Sequence, residues 1–263
     1  MITLLTDFGT ADYFVGAMKG VILSVNREEK IIDITHEIPP HDIRAGAFTL
    51  LAVYETFPPQ TVHVAVVDPG VGSSRRPILV TSCNYLFVGP DNGLFSYVCE
   101  REKEVRVFHL TNDKYFRAAV SRTFHGRDIF APAAAAVASG VAPTMLGEQI
   151  TDYVLLPPIR PVRGRDGTLA ASIIHIDRFG NCITNITRPD LADKAFARTS
   201  RLVVNGNEIR SFRQYFAEGA DPSEELFAIW GSAGFLEIAA HCRSAAQMLN
   251  ADRGDSVLVK SAL

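Results

Sequence analysis

The chain has 263 residues, 47% of them hydrophobic, and a formal net charge of −3. A chain of this length buries enough apolar surface for one large core or two modest ones and needs no disulfides to fold. Acidic and basic residues are interspersed without a basic run, which excludes the electrostatic signature of a nucleic-acid or anionic-membrane partner and favours a small-molecule partner.

The first half of the chain predicts strands that alternate with helices. Between the second and third β-rich runs, apolar residues from Ile43 to Phe57 recur at the three-and-four spacing of a buried helix face. Strands that alternate with helices indicate parallel βαβ units. The strands are expected at 2–6, 31–35, 61–67, 78–81, 85–88 and 105–110, and a buried Ala-rich helix at 129–139.

A segment rich in proline and glycine then interrupts the chain. Residues 156–167 contain three prolines and two glycines, which continue neither a helix nor a central strand. We place a linker at 157–167, between an N-terminal α/β domain at 1–156 with a mainly parallel central sheet and a C-terminal domain at 168–263.

The C-terminal domain is predicted to be small, antiparallel and built of strands. Asn205-Gly206 is the dipeptide typical of a two-residue hairpin turn. The strands are expected at 169–176, 182–186, 201–204, 226–230 and 235–239.

The four cysteines are far apart and form no CxxC pair or Cys/His cluster. This spacing predicts neither a zinc site nor a disulfide framework, and we interpret the cysteines as reduced thiols in or near a core. The N-terminus has no basic region followed by a long apolar stretch, and no apolar run is long enough to span a bilayer. We therefore expect a soluble, cytoplasmic protein.

Two carboxylates follow the ends of predicted strands. Asp7 follows the first strand and Asp68 the third. Ligands of open α/β sheets bind outside the carboxyl ends of the strands, which makes these two acids candidates for one pocket. The alternative is that each Asp caps the helix or turn after it. Two such acids, each followed by a Gly-containing loop, favour a functional site.

Basic residues near these acids are further candidates. Either Arg75 or Arg76 could fold back over Asp68, although arginines in loops usually face water. His125 comes just before the Ala-rich helix, where the positive end of the helix dipole lowers an imidazole pKa. A neutral histidine at that position can accept or relay a proton near pH 7.

The C-terminal half contains two polar clusters. Asp177, Phe179 and Asn181 follow a strand and could hydrogen-bond a polar substrate while offering a ring face to a cation, or they could form an ordinary turn. Ser232 and Glu237 belong to a second cluster, which is a weak signal alone.

Six segments occur in order through nearly the whole chain: TDFGTADYF, VDPGVGSSRRP, VGPDNGLFS, FHGRDIFAP, IDRFGNCITNI and WGSAGFLEIA. Together they resemble the S-adenosyl-L-methionine (SAM) hydrolase family, also called SAM hydroxide adenosyltransferases, which is related to the nucleophilic fluorinases and chlorinases. The resemblance implies an N-terminal α/β domain and a C-terminal β-barrel-like domain. It also implies a homotrimer that binds SAM between one subunit's N-terminal domain and its neighbour's C-terminal domain. SAM is then the substrate, and neither a metal nor another cofactor is implied.

The resemblance also assigns residues. It implies that Asp68, Arg75 and His125 are catalytic, and because halide-using relatives carry other residues there, water is the expected nucleophile. The implied substrate contacts are Asp7 on the ribose hydroxyls, Phe124 and Phe179 around the nucleoside, and Asp177, Asn181 and Ser232 towards methionine and adenine. The expected reaction is hydrolysis of SAM to adenosine and L-methionine by in-line attack at ribose C5′. The alternatives are a halide-dependent SAM-cleaving enzyme and a non-catalytic SAM or adenosine binding protein.

Overall fold

The computed structural model describes residues 1–165, 168–191, 200–218 and 226–261. The chain divides into two units, Met1–Pro158 and Ile159–Leu263. This division falls inside the proline-rich segment 157–167, whose residues 166 and 167 lie outside the described residues. Parts of the predicted C-terminal domain, residues 192–199, 219–225 and 262–263, also lie outside them.

The N-terminal unit is built on a seven-stranded sheet. Its strands are β1 (Ile2–Thr6), β2 (Ile31–Thr35), β3 (Val62–Val66), β4 (Pro77–Thr81), β5 (Leu86–Pro90), β6 (Arg106–Leu110) and β7 (Gly147–Ile150). The sheet order is β2-β1-β3-β5-β4-β6-β7, and β2, β1, β3 and β5 are mutually parallel. β4 and β7 run in the opposite direction, which confirms the predicted mainly parallel sheet. Every residue of β1 and β3 is buried, as in a sheet covered on both faces.

The helices of this unit are α1 (Phe14–Val25), α2 (Ile43–Val53), α3 (Ser96–Arg101), α4 (Ala131–Ala138) and α5 (Pro143–Leu146). α1 buries Val15, Met18 and Ile22, which share one helical face. α2 begins at Asp42, whose side chain accepts the Ala45 N–H and so caps the first turn.

The predicted helix at 129–139 is split in the structure. Residues Gly126–Phe130 form a π-helical turn, and α4 follows it. Pro132 lies in the first turn of α4 and has no N–H to donate back along the chain. The carbonyl of Asp128 accepts the Arg117 N–H at 3.0 Å instead. The proline therefore explains why regular α-helix begins two residues later than predicted.

The C-terminal unit is a nine-stranded, nearly closed, barrel-like sheet. Its strands are β8 (Val162–Arg163), β9 (Leu169–Ile176), β10 (Cys182–Thr187), β11 (Ser200–Val204), β12 (Asn207–Ile209), β13 (Ser211–Arg213), β14 (Leu226–Trp230), β15 (Phe235–Ala240) and β16 (Ser256–Ser261), and the helix α6 (Ala245–Leu249) follows β15. The order is β12-β11-β16-β9-β10-β15-β14-β13, with β8 beside β9. Among the described strand pairs of this unit only β13–β14 is parallel, which confirms the predicted antiparallel character.

Alternate residues of these strands fill the interior of the C-terminal unit. Leu169, Ala171 and Ile173 of β9 belong to one core cluster with Val257 and Val259 of β16. The predicted hairpin joins β11 to β12, where Asn205 and Gly206 have φ of 47° and 79°. Two consecutive positive φ values are what a type I′ turn requires.

The cysteines correct one expectation. Cys182 is buried and Cys99 half-buried, but Cys83 and Cys242 are exposed, because each lies in a turn beyond the end of a strand. Among the described residues, no helix has both the length and the apolar character needed to cross a membrane. The same residues contain no group of three or more His, Cys, Asp or Glu side chains arranged to hold a metal ion.

Candidate active site

The C-terminal end of β3 leads directly to a buried ion pair. Arg75 Nε donates to Asp68 Oδ1 at 3.1 Å, and Arg75 Nη2 donates to Asp68 Oδ2. The two side chains are 6% and 5% exposed. A bidentate guanidinium–carboxylate contact fixes both the position and the orientation of the carboxylate.

The loop between these two residues is folded by its own hydrogen bonds. Ser73 donates its N–H and its hydroxyl to the Gly70 carbonyl at 3.1 and 2.6 Å, and Ser73 Oγ accepts the Arg75 N–H at 3.2 Å. Gly72 has φ of 78°, and a Cβ there would lie 2.2 Å from the Arg122 carbonyl oxygen. The loop therefore packs closely against the segment that leads to His125, and only glycine fits at the contact.

Arg76 takes a different direction from Arg75. Arg76 Nε donates to Asp91 Oδ2 and Nη1 to Asp152 Oδ1, both at 2.9 Å. Asn92, next to Asp91, donates its side-chain N–H to the Val67 carbonyl at 2.8 Å. These contacts settle which arginine folds over Asp68 and anchor the chain just before that aspartate.

His125 completes the cluster. Its Nδ1 lies 3.0 Å from Arg75 Nη2. A guanidinium only donates, so Nδ1 accepts, and the proton of the neutral ring is on Nε2. Burial and the nearby Arg75 charge lower the pKa of His125, so the ring is neutral near pH 7. In the structure Arg75 contacts both Asp68 and His125, so the three predicted catalytic residues form one cluster.

The surroundings of Asp68 and Arg75 are unusual for charged groups. Burial raises the pKa of Asp68, and the charge and hydrogen bonds of Arg75 offset only part of that effect. Asp68 is therefore more basic than an ordinary aspartate. Arg75 Nη1 is buried and has no hydrogen-bond partner among the described residues. Such a donor is costly to leave unsatisfied, and a water or a ligand oxygen would satisfy it.

Asp7 follows β1, which is the neighbour in the sheet of β3, the strand that precedes Asp68. β1 pairs with β3 in parallel, with Thr6 opposite Val66, so Asp7 and Asp68 leave the same edge of the sheet. Asp7 Oδ2 accepts the His41 N–H at 2.9 Å. The register therefore places the two strand-end acids at the same edge of the sheet, as predicted.

Phe124 lies in an aromatic cluster of the N-terminal unit. Its ring is 7% exposed and packs edge-on against Phe8 at 5.9 Å and Phe14 at 5.2 Å between centroids. Arg127 Cζ lies 5.1 Å from the centre of the same ring. The exposed ring of the cluster is Tyr13, which is 69% exposed and which the sequence did not single out.

The C-terminal unit contains a cavity of about 700 Å³. All four residues predicted to contact substrate in this half line it: Asp177, Phe179, Asn181 and Ser232. Asp177 Oδ1 accepts the N–H groups of Phe179 and Asn181, both at 2.9 Å, and Oδ2 accepts Asn181 Nδ2 at 2.8 Å. The Asp177 carboxylate therefore folds the loop that presents the Phe179 ring, which is 77% exposed.

The cavity is also lined by residues that were not among the predicted substrate contacts. Trp230, Phe216 and Glu237 line it with the predicted four. Burial and the Asp177 charge raise the pKa of Glu237. A Cβ at Gly231 would lie 1.7 Å from Glu237 Oε1, so a side chain at position 231 would displace this carboxylate. Glu237 is the single charged residue of β15, and a charged residue in an otherwise apolar strand is the sequence signal that could have identified it as part of the site.

A buried Asp–Arg pair beside a histidine, at the carboxyl ends of the strands of an α/β sheet, is typical of an enzyme active site. A polar and aromatic cavity is typical of a site for a small polar molecule. The family model for the SAM hydroxide adenosyltransferase N-terminal domain matches residues 2–147, and the model for the C-terminal domain of that family matches residues 171–258. The chain belongs to the SAM hydroxide adenosyltransferase family, as its motifs predict.

Relatives along the full length are consistent with this membership. A protein of Methanocaldococcus jannaschii named (R)-S-adenosyl-L-methionine hydrolase is 38% identical to this chain, over 98% of this chain and 94% of that protein. A protein of the same name in Salinispora arenicola is 36% identical, over 98% of this chain and 97% of that protein. The crystal structure of an uncharacterized conserved protein from Thermotoga maritima superposes with a TM-score of 0.91 at 36% identity, covering 98% of this chain and 99% of that one. A fluorinase from an Actinoplanes species is more distant, at 26% identity over 100% of this chain and 98% of that enzyme.

Proposed function

We propose that the protein hydrolyses S-adenosyl-L-methionine, in the (R) form for which its relatives are named, to adenosine and L-methionine. The observation that carries this proposal is that Arg75 contacts both His125 and the buried carboxylate of Asp68. The higher identity to proteins named as hydrolases than to fluorinases favours water over halide as the nucleophile.

The proposed reaction is an in-line displacement at ribose C5′. The water oxygen forms the new bond to C5′ as the C5′–S bond breaks, and the bonding electron pair passes to the sulfonium sulfur. Methionine leaves as a neutral thioether, so the leaving group needs no acid. Water loses one proton, and the net products are adenosine, methionine and one proton. The chemical difficulty is therefore the weakness of water as a nucleophile.

In this proposal each residue of the cluster has a different task. His125 Nδ1 accepts from Arg75, so the neutral ring has only its Nε2–H to offer, and that group donates to the water oxygen instead of removing a proton. Asp68, which burial makes more basic, accepts the proton. Arg75 holds the Asp68 carboxylate, and its buried Nη1 is the spare donor for developing hydroxide charge.

Residues outside the cluster bind the substrate in this proposal. Asp7 accepts hydrogen bonds from the ribose hydroxyls, and Phe124 and the exposed Phe179 contribute to the nucleoside and sulfonium environment, where a ring face attracts a cation by about 1 kcal/mol. Asn181 and Ser232, with the loop held by Asp177, contact the methionine and adenine portions from the cavity. A homotrimer with shared sites and a cytoplasmic location complete the proposal, and analytical ultracentrifugation tests the trimer.

A product analysis with and without halide tests the proposed function. The purified protein is incubated with SAM in halide-free buffer, then with added chloride or fluoride, and the nucleosides are separated by chromatography with mass detection. Adenosine and methionine should form in equal amounts under all three conditions. A 5′-halo-adenosine that appears only with added halide would reassign the enzyme to the halide-using class, and SAM that stays intact would make the protein a binder.

A further inference from the structure

A row of polar side chains runs from the surface of the N-terminal unit to the turn that contains Asp7. Lys19 Nζ on α1 lies 2.6 Å from Asp33 Oδ2 on β2, and Asp33 Oδ1 lies 3.1 Å from His36 Nε2. His36 Nδ1 lies 2.9 Å from Thr6 Oγ1 at the end of β1. The His36 side chain is 4% exposed, so it lies beneath the turn and not on the surface.

One proton assignment satisfies the inner part of this row. Thr6 Oγ1 already accepts the Phe8 N–H at 3.2 Å, so the Thr6 hydroxyl is free to donate to His36 Nδ1. His36 Nε2 then carries an N–H; it lies 3.1 Å from Asp33 Oδ1 but makes no hydrogen bond to it, so this contact is mainly electrostatic. Burial opposes the ionisation of Asp33, but Lys19 and His36 together hold the pKa of Asp33 below its usual value.

His36 holds the turn at a second point as well. Its backbone carbonyl accepts the Gly9 N–H at 2.7 Å. Through Thr6, which precedes Asp7, and through Gly9, which follows it, His36 is linked to residues on both sides of Asp7. The segment that begins at His36 also supplies the His41 N–H, which donates to Asp7 Oδ2.

We propose that His36 is a positioning residue for substrate binding: it fixes the turn that directs the Asp7 carboxylate at the two ribose hydroxyls. The inference rests on the proposed function, in which Asp7 binds the ribose. His36 does not touch the substrate, and it acts only through the side chain of Thr6 and the backbone of Gly9.

The chain offers a matched control for this proposal. Thr3 Oγ1, in the same strand, lies 2.7 Å from the Nδ1 of another buried histidine, His63. Thr3 precedes Thr6 by three residues and lies towards the other end of β1. Replacing His63 by phenylalanine therefore removes a buried His–Thr pair of the same kind without disturbing the turn around Asp7.

The test measures how strongly each variant depends on the ribose hydroxyls. Calorimetry on the full chain gives the dissociation constants of adenosine and of 2′,3′-dideoxyadenosine, and their ratio is the preference for the hydroxyls. Asp7→Asn and His36→Phe should each lower this preference about tenfold, the size of one well-made hydrogen bond. His63→Phe should keep the preference, and His36→Asn, which restores an acceptor for Thr6, should recover most of it.

The outcomes separate this inference from the proposed function. A lost preference in Asp7→Asn together with a full preference in His36→Phe would overturn the role of His36 and leave the role of Asp7 intact. A full preference in Asp7→Asn would overturn both, because Asp7 would not bind the hydroxyls. If His36→Phe does not fold, Thr6→Val breaks the same link from the other side, and an unchanged preference there would equally overturn the inference.

Discussion

Acidification should destabilise the N-terminal unit through one buried histidine. His63 on β3 is fully buried, and its ring stacks on Phe87 at 5.3 Å between centroids, with Tyr54, Phe57 and Tyr85 also around it. Its Nδ1 pairs with Thr3, and its Nε2 has no partner among the described residues. Burial lowers the pKa of His63 from 6.5 to about 4.

The size and sign of the effect follow from linkage. Above pH 6.5 the histidine is neutral in both states and contributes no pH dependence. Between pH 6.5 and 4 the unfolded chain binds a proton that the folded unit does not, so the free energy of unfolding falls as the pH falls. At about 1.4 kcal/mol for each unit of pKa shift, the loss reaches about 3 kcal/mol by pH 4.

The comparison of wild type with His63→Phe isolates this contribution. The free energy of unfolding in urea is measured at pH 7.5 and at pH 4 from the hydrogen exchange of the β1 and β3 amides. The wild type should lose about 3 kcal/mol more than the variant over this interval. The single tryptophan, Trp230, lies in the C-terminal unit, so its fluorescence is an internal control that should not distinguish the two proteins. Equal losses in wild type and variant at β1 and β3 would refute the reasoning.

Three further predictions concern the cluster and its loop. Asp68→Asn should lower kcat by roughly 10²-fold or more while the KM for SAM changes little, because the proposed proton acceptor is lost. Steady-state kinetics check this prediction, and a change confined to KM would make Asp68 a binding residue. Arg75→Met leaves a buried carboxylate without its partner and should cost about 3–5 kcal/mol in urea unfolding, whereas a loss below about 1 kcal/mol would show that the pair is effectively solvated. Gly72→Ala should lower both stability and kcat. The control is Gly206, which has a similar φ of 79° but no atom within 4 Å of a Cβ built there, so Gly206→Ala should lower stability only slightly. Equal effects of the two substitutions would show that close packing is not what position 72 requires.

The strands were largely predictable because their ends are marked by residues that cannot continue them. β1, β2, β9 and β14 begin and end at the predicted residues. β7 and β12 were missed because they are short and carry mainly polar, exposed side chains, so they have no apolar period of two. β7 also pairs with β6, which is distant in sequence, and local patterns do not record such a pairing.

The site was predictable to the level of residues but not of contacts. The family resemblance named Asp68, Arg75 and His125. The loop sequence alone left Arg75 and Arg76 equally suited to Asp68, and the choice between them depends on Asp91 and Asp152, which hold Arg76. The direction of the hydrogen bond to His125 likewise depends on the folded loop. In the proposed mechanism that direction makes the histidine a donor to water and leaves Asp68 as the proton acceptor.

The central claim is that water is the nucleophile at ribose C5′, and an isotope experiment tests it most directly. The protein is incubated with SAM in water enriched in oxygen-18, and the products are analysed by mass spectrometry. The account predicts one heavy oxygen in the 5′-hydroxyl group of adenosine and none in methionine. Adenosine without the label, or label found in methionine, would contradict it.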